Sequence, residues 1–300
     1  MKSKKIRCKI NKLMIKIIGI SFVVVSVSGL TISKINAKDI RNIEYEVTVP
    51  AMENLVVENT QQINQEKIEQ NYSYSDNGKE IEERINSWNF QREDGKKIAY
   101  LTFDDGPSSH VTNEILDVLK ANDVKATFFV LGTSIERSED SKNALRRIAE
   151  EGHSIGNHGY CHNYNLLYPN GKADVDFFME DLHKTEKIIN DTLGYSLNSK
   201  IIRMPGGRCS WEANELDKRL NDEGYAYIDW NTLNGDAEAF SKSEEQLNDE
   251  LKETVEELYG NDDVIVVLMH DTDMKETTAD SLDKNIKYLK SLGYEFITIR

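Results

Sequence analysis

Two carboxylates stand side by side, Asp104 and Asp105, closing an apolar run in Thr102-Phe103-Asp104-Asp105-Gly106-Pro107. Successive side chains on a strand point to opposite faces, so both acids reach one place only if the strand breaks there, and Gly106-Pro107 supplies the break. Taken alone, the same residues equally suit an Asp-rich turn that caps the segment after it. Three of the chain's six histidines fall within ten residues, in Gly152-His153-Ser154-Ile155-Gly156-Asn157-His158-Gly159-Tyr160-Cys161-His162. His158 and His162 are four apart, and on a helical turn that spacing puts both imidazoles on one face, as paired metal ligation needs. A bare H-x-x-x-H means little. It gains weight here by following an apolar run and by having an Asp at hand as third ligand. Two histidines and one carboxylate leave coordination positions open, the pattern of a catalytic rather than a structural zinc centre.

Three further pieces each end an apolar run: Arg203-Met204-Pro205-Gly206-Gly207, Asp229-Trp230, and Leu268-Met269-His270-Asp271. Singly, a lone Arg is a solvated charge, a lone Trp is core, and a lone His is a satisfied interior residue. Five such elements in order, each closing a strand of one sheet, are harder to dismiss.

The runs that must position these residues have strand length and alternate with amphipathic segments from residue 97 onward. The strands predicted are 98–103, 126–131, 153–156, 200–203, 225–230, 264–269 and 294–299; the helices are 111–122, 142–151, 173–193, 211–223, 244–259 and 279–292. Regular alternation implies parallel pairing with right-handed crossovers, and about seven repeats suit a closed or nearly closed β/α barrel, with a doubly wound open sheet as the alternative. Either fold gathers catalytic groups past the C-terminal ends of its strands, where these motifs fall.

With these motifs in place, the sequence from Lys97 to Arg300 resembles the polysaccharide deacetylase family, carbohydrate esterase family 4. TFDDG, H-x-x-x-H, R-x-P, DW and L-x-H stand in that family's order. The resemblance implies a distorted (β/α) barrel and a hydrolase that removes acetyl groups from a polysaccharide. By position it implies Asp104 as general base, with Arg203 paired to it, and Asp105, His158 and His162 as ligands of a divalent metal. Zinc is the first choice, with cobalt, nickel or manganese as substitutes. It further implies His270 as general acid tuned by Asp229, Trp230 and Leu268 as walls of the acetyl pocket, and a Gly206 backbone N–H facing the oxyanion. Gly206 stands where many members carry an aromatic residue, so one wall of the substrate groove is expected to be missing. Gly159 stands where Ser or Thr often follows the first metal histidine.

Composition narrows the substrate. The formal net charge is −15, from 37 Lys and Arg against 52 Asp and Glu, yet Lys2, Lys4, Lys5, Arg7, Lys9 and Lys12 crowd the first dozen residues. The remainder is acidic, which disfavours nucleic acid and purely electrostatic adhesion to anionic wall polymers and leaves a neutral glycan acceptable. The basic head precedes the apolar run 17–32, the order of a targeting segment. The expected organisation is therefore a signal peptide or signal anchor over 1–37, a polar spacer over 38–96 in which Trp88 and Phe90 can dock on the domain, and a catalytic domain over 97–300. Such an enzyme works outside the cytoplasm, secreted or anchored to the outer face of a bacterial membrane. Its expected substrate is peptidoglycan N-acetylglucosamine, with poly-N-acetylglucosamine, chitooligosaccharide, N-acetylmuramic acid or acetylxylan as alternatives, and an inactive glycan-binding module as a second. Beyond Cys8, only Cys161 and Cys209 remain, and they either pair or both stay free. Because the histidine pair already fills the i, i+4 geometry, Cys161 reads as packing or as a partner for Cys209 rather than as a ligand.

Overall fold

The computed structural model describes residues 75–237, 242–257 and 262–300. The stretch expected to be a targeting segment, 1–37, and the greater part of the expected spacer lie outside the described residues. No helix among the described residues is long and apolar enough to cross a membrane.

The long central strands β2 (Lys97–Asp104) and β8 (Val264–His270) pair in parallel from Ile98 with Val264 to Asp104 with His270. Both are near-continuous apolar runs because both of their faces are covered. Around them stand β3 (Thr127–Val130), β4 (Ser154–Asn157), β5 (Ile201–Ile202), β6 (Ala226–Tyr227) and β7 (Thr232–Leu233), all parallel, in the order β6-β5-β4-β3-β2-β8-β7. The edge strands are consecutive in the chain. From Tyr227 to Thr232 the chain spans at most about 17 Å, whereas a flat sheet would part those strands by about 29 Å. The sheet therefore curls nearly shut, and the gap is bridged by Ile228 N–H donating to Ile202 and Asn231 N–H donating to Val266. This is the distorted barrel expected.

Side-chain alternation sorts each strand into an inner and an outer column. On β2, Ala99, Leu101 and Phe103 pack outward against the helices, while Ile98 and Tyr100 join Phe129, Ile201, Val264 and Val266 inside. The inner column continues through Thr102 and ends on Asp104. On β8 the inner column ends on His270, in register with Asp104. The outer layer is formed by α2 (Val111–Ala121), α4 (Glu139–Glu150), α6 (Val175–Leu193), α7 (Asn214–Asp222), α8 (Glu244–Glu257) and α9 (Glu276–Ser291), with α3 (Gly132–Glu136) and α5 (Tyr164–Leu167) as short turns. On α6, Asp174 caps the first turn by accepting from Phe177 N–H, Gly194 ends it at φ 76°, and Phe178, Leu182, Thr185 and Ile189 recur at helical spacing on the buried side.

Four expectations are revised. The boundary at residue 97 is too late: β1 (Ser75–Asp76) pairs with β10 (Thr298–Ile299), and α1 (Gly78–Ser87) packs beneath the barrel with Ile81 and Phe90 buried against Ile98 and Val264. The polar pattern of this stretch hid two buried apolar residues that close the foot of the barrel. Phe90 docks as expected, but Trp88 remains 74% exposed, resting edge-on against it. The sequence-predicted strand 225–230 is broken into β6 and an extended link, and β7 follows as a separate strand; the predicted strand 294–299 is likewise β9 (Tyr294–Phe296) on β2 and then β10.

Candidate active site

β2 ends at Asp104, and the next residue turns into the left-handed region, Asp105 at φ 74°. That conformation is uncommon for a residue with a Cβ and marks a position held by its surroundings. The turn is held on both sides: Asp105 carbonyl accepts from the Ser134 hydroxyl at 2.7 Å, and Gly106 carbonyl from Leu131 N–H at 2.9 Å. Gly106 cannot carry a side chain, because a Cβ would lie 2.1 Å from the Asp271 carboxylate. Asp271 is itself tied to the Thr112 hydroxyl at 2.6 Å, and burial pushes its carboxyl up to about 7. The strand break thus sends both acids to the barrel mouth, as the Gly106-Pro107 pair suggested.

His158 and His162 also meet there, but not on a helix. They flank a turn after β4, with Gly159 at φ 85° and His162 at φ 49°, and their rings lie 5.1 Å apart. The helical-face reading fails because left-handed residues at both positions stop an α-turn from forming. His158 is 2% exposed and its Nδ1–H donates to the Arg203 carbonyl at 2.7 Å, which leaves Nε2 facing Asp105 Oδ1 at 3.5 Å. His162 Nε2 lies 3.7 Å from the same oxygen. Burial brings His158 down to about 3 despite the opposing charge of Asp105, so it is the neutral imidazole that ligation requires.

A divalent ion fits this trio on its own geometry. One donor atom from each of Asp105, His158 and His162 lies within 4.8 Å of the others, and Asp105 Oδ1 is buried without a hydrogen-bond partner. An orphaned buried carboxylate oxygen between two imidazole nitrogens is costly unless a cation binds it.

Arg203, 1% exposed, follows β5 on the inner face. Its guanidinium donates to Asp104 Oδ1 at 2.8 Å, to the Thr102 hydroxyl at 2.7 Å and to the Ile228 carbonyl at 2.7 Å, and lies over the Phe129 ring. Burial raises the Asp104 carboxyl above the ordinary carboxylate range, and the charges of Arg203 and His270 oppose that rise.

The expected pairing of Asp229 with His270 is overturned. Asp229 instead accepts the Arg208 backbone N–H on both oxygens at 3.1 Å, because the Gly206-Gly207 turn brings that amide to it. The partner of His270 is Asp236. One carboxylate oxygen meets His270 Nδ1 at 2.7 Å, and the other accepts from His270 N–H and the Thr278 hydroxyl, each at 2.8 Å. Burial alone would lower His270, but the hydrogen bond and charge of Asp236, with Asp104 and Asp105 behind it, outweigh that and raise it to about 9. Asp236 is also a strand-end acid, three residues past β7. It was missed because a two-residue strand, Thr232–Leu233, leaves no periodicity to read.

Gly206 and Gly207 both sit at φ 81°. A Cβ on Gly206 would lie 3.2–3.3 Å from the Trp211 indole and the Tyr164 hydroxyl. The aromatic wall expected to be missing is therefore built from Trp211, stacked on Tyr168 at 4.2 Å, and Tyr164, which packs between Trp211 and His162 and is 43% exposed. Leu268 lies on the inner column of β8 below His270, and Trp230 packs against Gly207, whose Cβ would come within 2.9 Å of its ring. Cys161 and Cys209 are both free.

The polysaccharide deacetylase family model matches residues 91–228. Over 205 residues the chain is 38% identical to the peptidoglycan-N-acetylglucosamine deacetylase PgdA of Listeria monocytogenes, covering 68% of this chain and only 38% of that protein's length. It is 37% identical over 208 residues to a peptidoglycan-N-acetylglucosamine deacetylase of Bacillus cereus, covering 68% of this chain and 67% of that one. Among solved structures, a CE4 esterase of Streptococcus mutans superposes with a TM-score of 0.69 at 33% identity, over 77% of this chain and 94% of that chain. On fold, motif order and these likenesses together, the chain belongs to the polysaccharide deacetylase family, carbohydrate esterase family 4.

Proposed function

We propose that this chain is a metal-dependent hydrolase that removes N-acetyl groups from cell-wall glycan, with peptidoglycan N-acetylglucosamine as its substrate. The carrying observation is the opposition of a buried base and a partly buried acid at one mouth. Asp104, oriented by Arg203, and His270, charged by Asp236, end adjacent strands in register beside the Asp105, His158 and His162 trio.

When bound by that trio, zinc or a similar ion supplies a Lewis acid that polarises the acetyl carbonyl and acidifies water. Asp104 takes the proton of the attacking water, and Arg203 fixes which oxygen faces it. A carboxylate whose pKa is raised by burial is better matched to that task than an exposed one. As the water oxygen bonds to the acetyl carbon, the carbonyl oxygen gains charge. The Gly206 N–H, which no backbone carbonyl among the described residues claims, is the donor assigned to it, a placement worth on the order of 3 kcal/mol in comparable sites. His270, cationic at neutral pH, delivers its Nε2 proton to the sugar nitrogen as the carbon–nitrogen bond breaks. Acetic acid, which ionises in solvent, and a free amine leave, and the proton held by Asp104 passes to His270, which restores both groups. Leu268 and Trp230 wall the acetyl methyl.

The basic head and apolar run, read from sequence alone, favour delivery to the outer face of the membrane, where such a glycan lies. The test is incubation of the full chain and zinc with N-acetylated peptidoglycan, followed by mass spectrometry of the released sugars. Deacetylated glucosamine is expected. Loss from muramic acid would move the substrate, and intact acetyl groups on every glycan offered would sink the activity.

A further inference from the structure

Asp181 lies on α6, away from the strand ends that carry every motif, yet it is only 6% exposed, and no Lys, Arg or His among the described residues pairs with it. A buried carboxylate without a counter-cation must be satisfied by hydrogen bonds. Its partners all belong to the turn between His158 and His162. Oδ2 accepts from the Tyr160 backbone N–H, and Oδ1 accepts from the Cys161 thiol at 3.2 Å. Gly159 presses against the same group: a Cβ there would lie 2.6 Å from Oδ2.

The rest of the turn is pinned from other directions. Gly159 N–H donates to Asn157 Oδ1 at 2.8 Å, and the carbonyls of Gly159 and Tyr160 accept from Gly132 and Thr133. The two imidazoles differ in what fixes them. His158 is oriented directly by the Arg203 carbonyl, whereas among the described residues His162 meets Asp105 and neighbouring rings and no hydrogen-bonding backbone carbonyl, so its place depends on the path of the backbone leading to it.

We infer that Asp181 is a positioning residue for the metal centre, a buried carboxylate that holds the turn joining the two histidine ligands so that His162 faces Asp105. The inference rests on reading Asp105, His158 and His162 as the ligands. Gly159 is then required twice, for its left-handed backbone and for the room Asp181 needs. Groups that orient metal ligands from behind typically change affinity by about 10–100-fold when removed.

The experiment is zinc binding to the full chain, measured by competition with a chromophoric chelator, alongside thermal unfolding of the zinc-free protein. Asp181→Asn keeps the volume and one acceptor oxygen; Asp181→Ala removes both contacts. Zinc affinity is expected to fall about 10–100-fold in Asp181→Ala and less in Asp181→Asn, with zinc-free unfolding of Asp181→Asn close to wild type. A double-mutant cycle with Gly159→Ala isolates the contact, since the cost of a left-handed alanine is common to both backgrounds and only the collision with Asp181 is relieved. Gly159→Ala should therefore weaken zinc binding less in the Asp181→Ala background than alone. Unchanged affinity in folded Asp181→Asn and Asp181→Ala, or strictly additive effects, overturns the inference. A wild-type chain that binds no zinc overturns the ligand reading and this inference together.

Discussion

Two histidines at one barrel mouth, His158 buried and His270 with 13% of its side chain exposed, are driven in opposite directions. His158 falls to about 3 and His270 rises to about 9. Burial is the largest influence on both and acts downward on both, so burial does not distinguish them. The partner does. His158 donates to a neutral carbonyl and is crowded by His162 and Arg203, whereas His270 is held by the Asp236 carboxylate. A neutral imidazole with a free Nε2 suits a metal ligand, and a cationic one suits a proton donor. In this molecule a histidine's chemistry is set by the second group it touches.

The severest break of that contrast comes from the metal side. His158→Ala should leave two protein ligands, too few to hold a catalytic ion, so elemental analysis should find no stoichiometric zinc and activity should vanish with it. Asp104→Asn should fail differently. It keeps the shape of the side chain and the ion but cannot accept the water proton, so the rate should drop by at least about the 10²–10⁴-fold credited to a general base, with zinc content unchanged. An Asp104→Asn protein that loses zinc, or a His158→Ala protein that keeps it, would exchange the assigned roles.

On the acid side, His270→Ala should retain zinc and slow amide hydrolysis by about 10²–10⁴-fold. It should spare activated aryl acetates, whose leaving groups depart without a proton. Equal slowing of amide and activated ester would show that His270 is not the donor.

The same contrast explains what could be read before the structure. Asp104, Asp105, His158, His162, Arg203 and His270 follow or end apolar runs of strand length, so the alternation of those runs with amphipathic segments was enough to bring them to one mouth. The identity of each group's second partner was less legible. Asp236 follows a strand of two residues, and Asp181 lies mid-helix, where a carboxylate among Glu180, Asp181 and Glu186 resembles any solvated face. The foot of the barrel was hidden for a related reason: Ile81 and Phe90 are isolated apolar residues in a polar stretch, and their burial depends on which strand ends they meet. Chain-local pattern reports where a backbone goes. It does not report which side chain waits across the gap.

The finest test separates Asp236 from Asp229, the acid to which sequence order pointed. His270 must be protonated to act, so in the wild type the acid function persists up to a pH near 9 and is lost as pH rises through it. The linked stability has the same sign: a folded pKa raised above the ordinary 6.5 stabilises the protein below that value, and the contribution disappears as pH climbs toward 9. Asp236→Asn removes the largest raising influences and leaves burial, which lowers, against the remaining charges of Asp104 and Asp105, so the alkaline limb should move down to about 6.5. At pH 8 the protonated fraction would then fall by about 30-fold relative to wild type, while at pH 5.5 the two proteins should differ little on this account, given reference and shifted values of about 6.5 and 9. Asp229→Asn should leave the limb where it is, because its carboxylate meets the Arg208 amide and not the imidazole. Rate profiles from pH 5 to 10 on one acetylated substrate decide between them. A limb that moves in Asp229→Asn and stays in Asp236→Asn would restore the assignment that the geometry rejects; a limb that moves in neither would mean that a group other than His270 gives up the proton.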